Sequence, residues 1–180
     1  MLMLVFRLGA DRYALDATEI VEVLPRVPLK SIPGAPDWVA GLFSYHGRTV
    51  PVIDLALLAL GRPSSGHVST RTILVHYPAA DDLPSFGPAN PPSLGSAAGG
   101  LADPSAPALR PHVLGVLAEH ANRTLRRDPA DFHTTGVELS SAPYLGPVAT
   151  DSEGLLQWIR VPDLLPPDVR SQLFAAEMST

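Results

Sequence analysis

The chain has 180 residues, is 46% hydrophobic and carries a formal charge of -5 with no cysteine. That length can bury a sizeable core and allows one domain or two small subdomains. The charge gives no sign of a nucleic-acid surface, and the lack of cysteine excludes disulfides, thiolate chemistry and cysteine metal cages, as suits a reducing compartment. The apolar start meets Arg7 too soon for a signal core or a membrane span, so it is expected to be the first strand of a cytoplasmic protein. Residues 3–8 and 12–15 flank Gly9-Ala10-Asp11 and read as strand, turn, strand. Asp16 followed by Glu19 resembles a capping box and predicts a helical turn over 17–23 with Ile20 and Val23 inward. The β-branched residues there leave a strand over 19–24 as the alternative. Pro25 ends either element, and 27–32 should be an extended edge strand broken by Pro28. Pro36 sits near the start of a single helical turn that delivers the chain to Gly41.

Residues 41–61 organise the rest. Leu42, Phe43 and Tyr45 form one arm of a hairpin, His46-Gly47-Arg48 its turn, and Val50, Val52 and Ile53 its second arm. Asp54 then stands where a carboxylate can cap a short helix over 55–60 that Gly61 ends. A strand over 70–77 follows. Residues 78–111 are rich in Pro, Ala, Gly and Ser and poor in β-branched residues, which predicts a flexible surface insertion between two paired strands, the second over 112–121. Residues 123–127 form a short basic element, 144–150 and 155–161 a last hairpin, and 162–178 a helix with Val169, Leu173 and Phe174 as its stripe. Nine or ten short strands with two or three small helices predict an all-β protein whose sheets close to remove their edges.

No catalytic constellation emerges. Asp54 ends a strand where hydrolases can keep a carboxylate, but no second carboxylate at defined spacing joins it, so a structural cap is the simpler role. His112, His120 and His133 are too scattered for a metal motif, and no histidine pair has i, i+4 spacing. There is no Gly-x-Ser-x-Gly elbow beside Ser44. Gly95, Gly99 and Gly100 lack the strand and helix of a phosphate loop. Arg123, Arg126 and Arg127 form either a solvated face or the rim for an acidic partner. Tyr45, His46 and Arg48 have the composition of an interaction hot spot, or of an ordinary hairpin tip. The balance favours a binding module over an enzyme.

Arg12-Tyr-Ala-Leu-Asp16, Glu19-Ile-Val-Glu-Val23, Ile32-Pro-Gly-Ala-Pro36, Gly41-Leu-Phe-Ser-Tyr-His-Gly47 and Val50-Pro-Val-Ile-Asp-Leu55 together resemble the CheW family of chemosensory coupling proteins. Thr70-Arg-Thr-Ile-Leu-Val75, Leu114-Gly-Val-Leu117, Tyr144-Leu-Gly-Pro-Val148 and residues 155–165 continue the resemblance in order. It implies one CheW-like domain over 1–180, built of two five-stranded SH3-like barrels and a C-terminal helix, without cofactor, metal or catalysis. The implied role is a cytoplasmic scaffold that binds the regulatory domain of a CheA-type histidine kinase and the cytoplasmic tip of methyl-accepting receptors. By motif position Ile20 and Glu22 would face the receptor, and Tyr45, His46 and Arg48 would lie near the partner-binding loop. Two rivals are a CheW-like array component that caps or competes without activating the kinase, and a small hydrolase using Asp54 with a histidine. The family usually has Asn-Leu-Arg-Gly where this chain has Ser44-Tyr45-His46-Gly47, so a permanent guanidinium is replaced by a group that titrates near neutrality. The long insertion is a second departure, and the Tyr-His-Gly tip together with residues 113–120 and the block at Tyr144 resembles the auxiliary couplers of non-flagellar, Wsp-type surface-sensing systems.

Overall fold

The computed structural model describes residues 1–78, 112–134 and 141–175. The segment read as an insertion falls, apart from Pro78 itself, outside these residues. The described residues form nine strands: β1 Leu2–Leu8, β2 Asp11–Asp16, β3 Ile20–Pro25, β4 Val39–Tyr45, β5 Arg48–Asp54, β6 Arg71–Tyr77, β7 His112–Arg126, β8 Leu145–Asp151 and β9 Gly154–Ile159. Two helices, α1 Leu55–Leu60 and α2 Pro167–Phe174, complete them together with three single 3-10 turns. The all-β expectation holds.

The strands assemble into two five-stranded sheets that share β7. Its first half pairs with β6 and, in parallel, with β5, while its second half pairs with β1. One sheet therefore runs β7-β1-β2-β9-β8 and the other β3-β6-β7-β5-β4. Both repeat the same sequence of pairings: antiparallel, antiparallel, parallel, antiparallel. An isolated bridge extends each sheet beyond its last strand, Lys30 to Leu42 beside β4 and His133 to Val148 beside β8. In chain order, β1 to β5 thus correspond to β6, the two halves of β7, β8 and β9. Each sheet takes two strands from one repeat and three from the other.

Alternation of side chains sorts the core. Leu4, Phe6 and Leu8 of β1, Ile73, Val75 and Tyr77 of β6 and Leu114 and Val116 of β7 share one cluster with Leu164, Leu165 and Phe174, so this core ties both sheets to the C-terminal segment. Tyr77 stacks on Phe174 with ring centroids 5.5 Å apart and donates its hydroxyl to the Pro162 carbonyl at 3.1 Å, anchoring that segment. Met3, Val5, Ala14, Phe132, Ala149 and Leu156 form a second cluster within the first sheet. Leu74, Val50, Val52 and Leu117 are buried on the other faces of the second sheet's strands. Each such large apolar side chain removed from water contributes about 1.5–3 kcal/mol.

Four local expectations need correction. The capping residue Asp16 does accept from Thr18 N at 2.9 Å, but the helix ends after the 3-10 turn Ala17–Glu19. Ile20, Val21 and Val23 are β-branched and find a partner strand in β6, so the strand alternative prevails and Val23 lies outside, 39% exposed. Instead of an edge strand over 27–32, only Lys30 pairs, its N–H and carbonyl each meeting Leu42 at 2.8 Å. Gly41 permits this closure: at φ 142° it has no Cβ, and one placed there would stand 2.5 Å from the Lys30 carbonyl oxygen. The basic residues at 123–127 are not a separate element, since β7 runs through to Arg126. The C-terminal helix is split, because prolines at 162, 166 and 167 limit it to a 3-10 turn Val161–Asp163 and then α2, in which Val169 and Phe174 are buried.

Candidate functional site

The β4–β5 hairpin carries three of the residues expected to meet a partner. Its loop is the dipeptide His46-Gly47, with φ of 49° and 78°, the two positive angles that a two-residue turn matched to strand twist requires. Gly47 takes the second at no cost, and histidine is among the residues that tolerate the first. Tyr45 then points across to β3, where its hydroxyl donates to Glu22 Oε2 at 2.5 Å. This hydrogen bond raises the phenol's pKa, with smaller contributions from burial and from the Glu22 charge. The His46 ring packs on Tyr45 edge to face at 4.3 Å, and Phe43 lies 6.3 Å from Tyr45. Arg48 stands opposite Tyr45 in the ladder, exposed and without a carboxylate partner among the described residues. Glu22, Tyr45, His46 and Arg48 therefore form one surface. Ile20 does not join it as freely, because it is partly buried against the main core.

Beside the tip lies a feature that sequence reading missed. A cleft of about 500 Å³ runs between Ile32 and Pro33, the hairpin residues Leu42, Arg48 and Pro51, and Leu173 of α2. The helix stripe contained the signal, since Leu173 is only half-buried while Val169 and Phe174 seat α2 on the core. Which strand that half-exposed leucine would face could not be read from its own helix.

The model of the CheW-like domain family matches residues 2–167 of this chain. The chain belongs to the CheW family. Among solved structures, it is similar to the scaffolding protein TtCheW from Thermoanaerobacter tengcongensis, with a TM-score of 0.67 and 18% identity over 93% of this chain and 89% of that one. At that identity the likeness is one of fold. None of the curated proteins compared matches the chain.

Several other charged groups of this CheW-like chain are committed to holding the fold. Asp54 is buried and accepts from Ala56 N at 3.0 Å, Leu57 N at 3.1 Å, Ser64 N at 2.8 Å and Ser64 Oγ at 2.6 Å. It caps α1, which Gly61 ends at φ 67°, and pins the following loop. Glu119 takes a bidentate pair from Arg62, both at 2.9 Å, and a 2.6 Å bond from Ser65 N, which hold its carboxyl down at about 2. Two of the three arginines of the basic cluster, Arg123 and Arg127, are spent in the same way. Arg12 grips Asp151 at 2.6 and 3.1 Å, Arg127 bonds the same carboxylate, and Arg123 pairs with Glu153 at 2.6 Å. Arg12 drives the Asp151 carboxyl well below its usual range. Among the described residues no three His, Cys, Asp or Glu side chains are grouped to hold a metal ion, and no helix is long and apolar enough to cross a membrane.

Proposed function

We propose that this chain is a non-catalytic coupling scaffold of chemosensory signalling. It binds the regulatory domain of a CheA-type histidine kinase and the cytoplasmic tip of methyl-accepting receptors, acting in the cytoplasm beside the receptor array. The observation that carries this reading is the β4–β5 tip. In a CheW-family fold, it places an anion, an aromatic pair and a cation without a carboxylate partner among the described residues side by side next to an apolar cleft, which is the make-up of an interface anchor with a polar rim. Glu22, Tyr45, His46 and Arg48 are the contact residues of this proposal, with Ile20 contributing its exposed edge. The chain acts as one domain, with residues 78–111 inserted and dispensable.

Reconstitution tests the role: kinase, receptor and this chain are combined and kinase activity is measured with and without it. A coupler raises activity and makes it receptor-dependent. Binding without activation would establish the capping alternative, and failure to bind either partner would end the proposal. The hydrolase alternative through Asp54 has the geometry against it, because that carboxylate is enclosed and its oxygens already accept four hydrogen bonds.

A further inference from the structure

A second recess lies on the other sheet, away from the hairpin tip, and nothing in the coupling role uses it. Where β7 passes from one sheet to the other its ladder with β1 slips: Arg7 pairs with Glu119 but Val5 pairs with Arg123, so residues 120–122 stand opposite Phe6 alone. A bulge of this size opens the ladder and re-aims side chains. His120 occupies it at φ 52°, an uncommon conformation for a residue with a Cβ. The opening is a recess of about 340 Å³ lined by Arg7, Arg12, His120, Asn122, Arg123 and Glu153.

Its charge is unbalanced. Arg7 and Arg12 are directly opposite on adjacent strands, an arrangement that repels unless an anion compensates it. Arg12 is taken up by Asp151 and Arg123 by Glu153, whereas Arg7 has no carboxylate partner among the described residues. Asn122 is exposed beside it, and His120, whose Nδ1 is engaged with Ser69 Oγ at 3.1 Å, also lines the recess. Guanidinium forks with neutral donors suit a compact oxyanion, and phosphate satisfies more donors than a carboxylate does. We propose that this recess binds a small phosphate-bearing molecule, with Arg7 as its principal contact and Asn122 and His120 as supporting polar contacts.

The test is an NMR titration of the full chain with inorganic phosphate in low-ionic-strength chloride buffer, alongside Arg7→Gln, Asn122→Ala and Arg48→Gln. Arg7 and Asn122 are exposed, so their replacement leaves the buried ion pairs intact. Saturable shifts confined to Arg7, His120 and Asn122 are expected, weakened at least tenfold by Arg7→Gln and severalfold by Asn122→Ala, and unchanged by Arg48→Gln on the other sheet. Non-saturating or scattered shifts, equal binding by Arg7→Gln, or saturation by acetate but not phosphate would overturn the proposal.

Discussion

The two hairpin tips that the repeat makes equivalent, β4–β5 and β8–β9, are secured in opposite ways. At the β8–β9 tip, Asp151 and Glu153 are clamped by Arg12 from β2, Arg123 from β7 and Arg127 just after β7, and the Arg12 side chain is only 5% exposed. At the β4–β5 tip, a single exposed hydrogen bond joins Tyr45 to β3, and Arg48 is left unpaired among the described residues. Salt bridges saturated within the fold have little left to offer a partner. An aromatic tip with an unspent charge can still gain from desolvation and pairing. The difference shows how one repeated unit can be turned to structure at one end and to recognition at the other.

The largest effect should come from breaking the clamped tip. Arg12→Ala leaves Asp151 half-compensated in a nearly buried position and should cost about 3 kcal/mol in urea unfolding, while partner binding by the folded protein stays unchanged. A smaller cost, near that of a surface pair, would show that the clamp is not structural. Asp54→Asn probes the base of the recognition hairpin. It loses charge-assisted bonds to two helix N–H groups and to Ser64, so about 2 kcal/mol is expected, with no change in any activity.

Acidity sharpens the contrast. The Asp151 and Glu119 carboxyls are held low in the folded state, so their contributions are present above the ordinary carboxyl range and are lost as pH falls through their folded values. Acid should therefore unlock the β8–β9 tip and the Arg62 loop. Glu19, which leads into β3, behaves in the opposite sense: burial, aided by Asp16, raises its carboxyl from 4.5 to about 7. The folded form holds that proton more tightly, so the contribution is full below about pH 4.5 and lost as pH rises through 7. Glu19→Gln should accordingly stabilise by about 1 kcal/mol at pH 8, after allowing for partial exposure, and change nothing at pH 4. Equal effects at both pH values would contradict this assignment. The smallest effect is expected from replacing residues 79–111 by a two-residue turn. Tyr77 and His112 face each other in the ladder, so the join is short and stability should stay within about 1 kcal/mol.

What could be read beforehand was local. The 41–61 block carries its turn, its cap and its helix stop within twenty-odd residues, and the structure places each where composition put it. The β-branched stretch after Asp16 was ambiguous because the partner that makes it a strand, β6, lies some fifty residues away. The passage of β7 between sheets left no mark in hydrophobic alternation, since its second half is polar and exposed on one side. Long-range polar pairs were invisible for the same reason. Arg12 and Asp151 are 139 positions apart and Tyr45 and Glu22 are 23 apart, so residues named separately from the sequence became a site only through the fold.

The most direct test of this asymmetry is a titration of the CheA-type regulatory domain from the same source with matched tip variants, Tyr45→Ala with Arg48→Ala against Arg123→Ala with Glu153→Ala. Unfolding is followed on the same samples. The β4–β5 pair is expected to weaken binding at least tenfold and barely move the unfolding midpoint, while the β8–β9 pair lowers the midpoint and leaves the affinity unchanged. Full affinity in the β4–β5 variant, or loss of binding only in the β8–β9 variant, would contradict it.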